Sequence, residues 1–296
     1  MKKIMIAVLA IMLPVILAAC NSESQASGLS PCLKNNYTEI FTYDVSENGI
    51  KSGTMTMTFE TLTGKSSYTV DIYGGGEKTF ALGGQPHMLV STIMKTSNGS
   101  INSVVLIKSS LLNLPQPAVG SYKEILDKDG GLVYMVLYAY DGGYCNYEYN
   151  DGSGVMSGRL NMKSAVTYDN EMILIVMRCA QDASLKQNFS YVFKVPSAIN
   201  KKLESVAIKS AAVTEEQKAL KSFITDKNVM VYYYNIALDQ RLSGSPVKVA
   251  FAPEYKEDGY TYKNLPVSYI QTTIVGGKEY KTVYALSSVD RTFLDS

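Results

Sequence analysis

This 296-residue sequence predicts a mainly β chain of antiparallel sheets built from hairpins, arranged as a sandwich or a curved half-barrel. Three observations predict it. Apolar and polar residues alternate with period two over most of the chain, turn residues rich in Gly and Asn separate the alternating runs, and no βαβ rhythm occurs.

The first strand is read from Phe41, Tyr43 and Val45, which share one face, and Glu47-Asn48-Gly49 ends it with the strongest short hairpin signal. Thr54 to Phe59 follows with threonines on one face and Met55, Met57 and Phe59 on the other. Thr63-Gly64-Lys65 then leads to Tyr68, Val70 and Ile72, so a three-stranded meander is expected. The rhythm continues in pairs of runs: 88–95 with 101–108, 132–140 with 144–149, 165–168 with 171–177, and 267–274 with 279–286. Each pair flanks a Gly- or Asn-containing turn.

One or two helices are expected around 198–225. Thr214-Glu215-Glu216-Gln217 has the form of a capping box, with Leu220, Phe223 and Ile224 as an i, i+3, i+4 stripe behind it. Residues 198–210 read both ways: Ile199, Leu203 and Val206 fit a helix, whereas Val206 and Ile208 alternate as in a strand. The resulting plan has a β domain over 31–195, a helical segment over 196–226 and a β segment over 227–296 packed on the first.

The N-terminus stands apart from this pattern. Met1-Lys2-Lys3 is a positive n-region, and Ile4 to Leu17 is apolar but shorter than the roughly 20 residues that span a bilayer. Leu17-Ala18-Ala19-Cys20 then resembles the lipobox of bacterial lipoproteins. The resemblance implies that residues 1–19 are a removable signal peptide. It also implies that Cys20 takes a thioether-linked diacylglycerol, with further acylation such as palmitate on the new amino terminus. Two or more acyl chains, at about 0.8 kcal/mol per buried CH₂, hold a protein on a membrane stably. Residues 20–30 would be the lipidated Cys and a Ser-rich tether. Asn21 follows the Cys, and by analogy with lipoprotein sorting this favours the outer membrane, facing the periplasm or the cell surface, over the inner membrane.

Export places the remaining cysteines where disulfides can form. Cys32, Cys145 and Cys179 allow one bridge, and Cys145–Cys179 is favoured over either pairing with Cys32 because both lie at the ends of strand-like runs.

Composition narrows the chemistry. With 28 Lys+Arg against 27 Asp+Glu there is no basic surplus for a nucleic-acid partner. A single His, His87, removes any site needing two imidazoles, and the absence of Trp counts against a glycan-stacking site. Gly64-Lys65-Ser66 lacks the upstream glycine of a phosphate loop, and no Gly-x-Ser-x-Gly elbow occurs. No catalytic residue, metal site or cofactor is therefore assigned. Tyrosine is in excess, 22 against 8 Phe. The cluster Tyr138, Tyr140, Tyr144, Tyr147 and Tyr149 either packs half-buried on a sheet or forms a recognition face.

These readings favour a non-enzymatic, membrane-anchored envelope lipoprotein that binds a protein or envelope component through its β domain. An alternative is a carrier or chaperone for a hydrophobic ligand, in which a helix covers the concave face of a curved sheet. The stretch FTYDVSENGIKSGTMTMTFE resembles the strands of half-barrel carrier lipoproteins, a likeness too generic to carry over any site residue. A second alternative is a hydrolase using carboxylates or a Ser–Lys pair.

Overall fold

A computed structural model describes residues 37–108, 118–163, 167–178, 190–210, 220–221, 228–229, 232–238, 247–257, 260–275 and 278–293 of the chain. Its centre is the hairpin of β1 (Tyr37–Glu47) and β2 (Ile50–Leu62). Asn48 and Gly49 turn it with φ of 49° and 83°, the positive pair that a tight hairpin matching the strand twist requires. Alternation along β1 buries Glu39, Phe41, Tyr43 and Val45 on one face.

Strands add on both sides of this hairpin, all antiparallel. Beyond β2 come β5 (His87–Thr96), β6 (Gly99–Lys108), β7 (Ala118–Asp127), β8 (Leu132–Asp141), β9 (Tyr144–Asn150) and β10 (Val155–Asn161). Beyond β1 come β18 (Lys278–Phe293), β17 (Tyr260–Val275), β16 (Val247–Glu257), β15 (Tyr232–Leu238), β12 (Lys202–Ser210) and β11 (Ser190–Ser197). The result is one 14-stranded sheet in which the first and last strands of the chain are neighbours. The mainly β, antiparallel, hairpin-built class read from the sequence is the class observed.

This sheet cannot be flat. Eleven strand spacings of about 4.8 Å separate β8 from β11, more than 50 Å along a flat sheet. Yet the Tyr138 hydroxyl on β8 donates to the Pro196 carbonyl on β11 at 3.3 Å and accepts from the Ala198 amide at 3.0 Å. The sheet therefore curls until its two ends meet. Among the described residues no ladder pairs β11 with β8, β9 or β10; besides Tyr138, the Tyr168 amide donates to the Lys194 carbonyl at 2.9 Å, Asn170 Nδ2 donates to the Pro196 carbonyl at 3.1 Å, and Ala198 and Leu203 pack on Tyr138 and Leu160.

Inside the curl lies a short helical segment, a 3-10 turn at Asn170–Met172 running into α1 (Ile173–Arg178). Met172, Ile175 and Val176 are buried against residues from both halves of the sheet, among them Phe41, Phe59, Val206 and Phe251. At its end, Arg178 Nη1 donates to Glu39 Oε2 at 2.7 Å, with the two side chains 0% and 2% exposed. The guanidinium carbon lies 5.0 and 4.8 Å from the ring centres of Phe41 and Phe59, and Asn264 Nδ2 on β17 donates to the Arg178 carbonyl at 2.6 Å.

Three sequence expectations are corrected. The third strand of the expected meander, β3 (Ser67–Ile72), leaves the main sheet and pairs with β4 (Gly76–Ala81). Its Val70, with Phe80, covers Leu62, Leu89, Val104 and Leu106 on the outer face, apolar surface that would otherwise meet water. This hairpin sits so close that a Cβ on Gly120 would lie 2.0 Å from the Phe80 ring.

The expected strand at 171–177 is instead the helical segment. An unbroken short apolar run suits either state, and Asp169 decides it by capping the turn, its Oδ1 accepting from the Glu171 amide at 2.9 Å. Conversely, the helix considered at 198–210 gives way to β12, which pairs with β11 and β15 and buries Glu204, Val206 and Ile208 in alternation. Leu220–Lys221 is a short strand, β13, paired with β14 (Asn228–Val229). The capping box at 214–217, with Phe223 and Ile224, lies outside the described residues.

A buried ion pair with one partner removed leaves an uncompensated charge. Arg178→Met or Glu39→Gln is therefore expected to lower unfolding free energy by about 3–5 kcal/mol, while the double variant Glu39→Leu/Arg178→Met recovers most of the loss. Chemical denaturation of the three variants checks this.

Candidate functional site

The turn that enters α1 brings polar groups into an otherwise apolar interior. Asp169 is buried, and its Oδ2 accepts from Ser121 Oγ on β7 and Tyr140 OH on β8, each at 2.5 Å. Burial is the largest influence on this carboxyl and raises its pKa, against the lowering effect of its hydrogen bonds. Two residues on, Glu171 Oε1 accepts from Lys123 Nζ at 2.9 Å and Glu171 Oε2 from Ser103 Oγ at 2.9 Å. The Glu171 charge is the main cause that raises the Lys123 pKa, so the ammonium stays charged.

Alternation explains how the sheet presents these groups. Ser121, Lys123 and Ile125 are every second residue of β7, and Ser103 is in phase with Val105 and Ile107 on β6. All point toward the helical segment.

Two cavities open there, of about 510 and 250 Å³. Their walls share Lys123, Asn170, Glu171, Leu174, Val247 and Tyr269. They are thus two lobes separated by the polar turn and the first residues of α1. The larger lobe extends between Ile125, Tyr134, Val136 and Val249, and the smaller one between Met55, Met57, Met94 and Ile101. Apolar, partly enclosed space with a few convergent polar groups is the usual form of a small-molecule site. Flexible methionines on one wall suit chains of variable shape.

The tyrosines singled out by the sequence lie mostly inside the curl. Tyr138, Tyr147 and Tyr149 are buried, and Tyr138 lines the larger lobe. Tyr140 is half-buried and bonded to Asp169, whereas half-buried Tyr144 has the Arg159 guanidinium carbon 3.8 Å from its ring centre. His87 is buried at the start of β5, its Nδ1 hydrogen-bonded to the Gln85 carbonyl at 2.7 Å, and lines neither lobe.

The expected Cys145–Cys179 bridge involves a residue, Cys179, that lies outside the described ones. Cys145 is a free thiol, packed with Tyr138, Tyr147 and Leu160 where its strand faces inward. Cys20, Cys32 and Cys179 lie outside the described residues. Sequence reasoning missed Asp169, Glu171, Lys123, Ser103 and Ser121. The signal for Ser103 was a polar residue in the apolar phase of its strand, Ile101, Val105 and Ile107.

No family model, no curated protein and no solved structure matches this chain.

Burial pushes the Cys145 thiol well above its ordinary pKa, reinforced by the charge of Asp169. In folded protein at about pH 8, Cys145 is expected to resist iodoacetamide, and to be alkylated once the chain is unfolded in guanidinium. Peptide mass mapping of both samples reads the difference.

Proposed function

We propose that the protein is a non-enzymatic, lipid-anchored envelope protein whose curled sheet carries a hydrophobic ligand. The two-lobed apolar space between the sheet and α1 is the observation that carries this reading. A protein-binding role asks for an exposed face, yet most of the clustered tyrosines turn inward. Of the readings left open by the sequence, the carrier is the one that the cavity favours.

The anchor and the carrier fit one another. Acylation at Cys20 would hold the domain beside a membrane, and the Ser-rich tether would let it reach lipid or a lipid-like molecule at short range. The outer membrane remains the favoured site of anchorage because of Asn21.

Full-length protein is expected to take up an environment-sensitive apolar probe such as 1-anilinonaphthalene-8-sulfonate in its native state. Leu174 lies on the wall of both lobes. Leu174→Trp is expected to cut uptake about tenfold or more by filling the shared space, with near-UV circular dichroism and cooperative unfolding retained. Native protein that excludes the probe would refute the carrier reading. For the anchor, Cys20→Ser is expected to move the protein from the membrane to the soluble fraction, with loss of acyl mass from the N-terminal peptide. A wild-type N-terminal peptide without acyl mass would refute it.

A further inference from the structure

We propose, building on the carrier reading, that the ligand is a two-chain amphiphile with a zwitterionic head group, seated on Lys123 and Glu171 with one chain in each lobe. The position of the ion pair carries the argument. Lys123 and Glu171 belong to both walls, so a head group placed on them has apolar space leading away on two sides. A single-chain ligand would leave one lobe to water.

Charge selects the head group. Lys123 has three N–H donors, of which Glu171 Oε1 takes one, and 31% of its side chain is accessible. Glu171 is 18% accessible and has accepting capacity beyond its bonds to Lys123 and Ser103. The pair can therefore accept a phosphate on Lys123 and an ammonium on Glu171 together. Both charges then keep partners when the ligand displaces water, as buried ions require.

A purely anionic head group fares worse. It gains Lys123 but meets two carboxylates in one turn, Glu171 and the buried Asp169, with a single ammonium between them and it. A neutral head group avoids that repulsion but forfeits the charge-assisted bonds.

The test is displacement of the bound probe from full-length protein, at one fixed detergent concentration, by lipids with matched oleoyl chains. Phosphatidylethanolamine is expected to displace the probe at a concentration about tenfold below both phosphatidylglycerol and diacylglycerol, the scale of one charge-assisted contact. Lyso-phosphatidylethanolamine, with one chain, should lag behind the two-chain lipid. Lys123→Met should abolish the advantage over diacylglycerol, and Glu171→Gln the advantage over phosphatidylglycerol. The exchanged pair Lys123→Glu/Glu171→Lys should keep the preference for the zwitterion, which separates charge matching from damage to the fold. Equal displacement by all the lipids, a preference for the anionic lipid, or equal potency of the one-chain lipid would overturn the proposal while leaving the carrier reading intact. Absence of any probe binding would overturn the carrier reading itself.

Discussion

Burying Arg178 takes a permanent positive charge out of water, a cost offset by Glu39, which meets it at 2.7 Å beside the rings of Phe41 and Phe59. That contact ties α1 to β1, the strand that joins the two halves of the sheet. Arg178 also presents its carbonyl to Asn264 on β17. One residue thus pins the end of the helix to the central hairpin and to β17. The opposite end is pinned by Asp169 to β7 and β8. A helical segment this short has little stability of its own, since isolated helices of fewer than about 12–15 residues are marginal in water. Its position therefore follows from these buried polar bonds, and the two lobes beside it follow from its position.

The curl depends on the same residues from the other direction. A sheet of fourteen strands has far more inner face than a nine-residue helical segment can cover. Right-handed twist bends such a sheet, and burial of apolar surface draws the two halves toward a common centre. Phe41 and Phe59 from one side and Val206, Ile208 and Phe251 from the other converge on Met172, Ile175 and Val176. Where the helix covers the inner face the core is solid. Where its first turn lifts polar groups off the wall, the packing is interrupted and the lobes remain.

Much of the fold is legible in the sequence because strands and tight turns are local. Asn48-Gly49 fixes a hairpin whatever surrounds it, and Phe41, Tyr43 and Val45 share a face in any sheet. What cannot be read locally is which face meets which neighbour. Val104, Val105, Leu106 and Ile107 form a continuous apolar run because β6 is covered on both sides, by the core within and by the β3–β4 hairpin outside. Nothing in β3 itself says that it leaves the sheet. The run from Met172 to Val176 is equally silent, since five apolar residues satisfy a buried strand or a buried helix. The site was partly legible. Glu39 breaks the apolar phase of Phe41, Tyr43 and Val45, and a charge at such a position asks for a buried partner, whereas Lys123 shares its phase with Ser121 and Asp127 and gives no such sign. The partners of Glu39 and Lys123, Arg178 and Glu171, lie 139 and 48 positions away in the chain, a separation that no local pattern spans.

The manner of closure bears on what the interior can do. A backbone ladder between the two ends would fix the girth of the sheet through a row of hydrogen bonds. Here the Tyr138 hydroxyl makes two bonds, to Pro196 and from Ala198, each contributing on the order of 1 kcal/mol. Tyr138 and Asn170 both line the larger lobe and both bond to the Pro196 carbonyl, so a ligand in that lobe would touch residues that join the ends. The turn that enters α1 holds the same seam, through Asn170 Nδ2 donating to the Pro196 carbonyl at 3.1 Å and the Tyr168 amide donating to the Lys194 carbonyl at 2.9 Å, and Ala198 and Leu203 pack there against Tyr138 and Leu160. Any opening of the ends must therefore loosen the turn at Asp169 and Asn170 as well, whereas the Arg178 end of the helix stays fixed on β1 and β17, so the capacity of the interior to change belongs to the first turn of the helical segment and the strands it bridges.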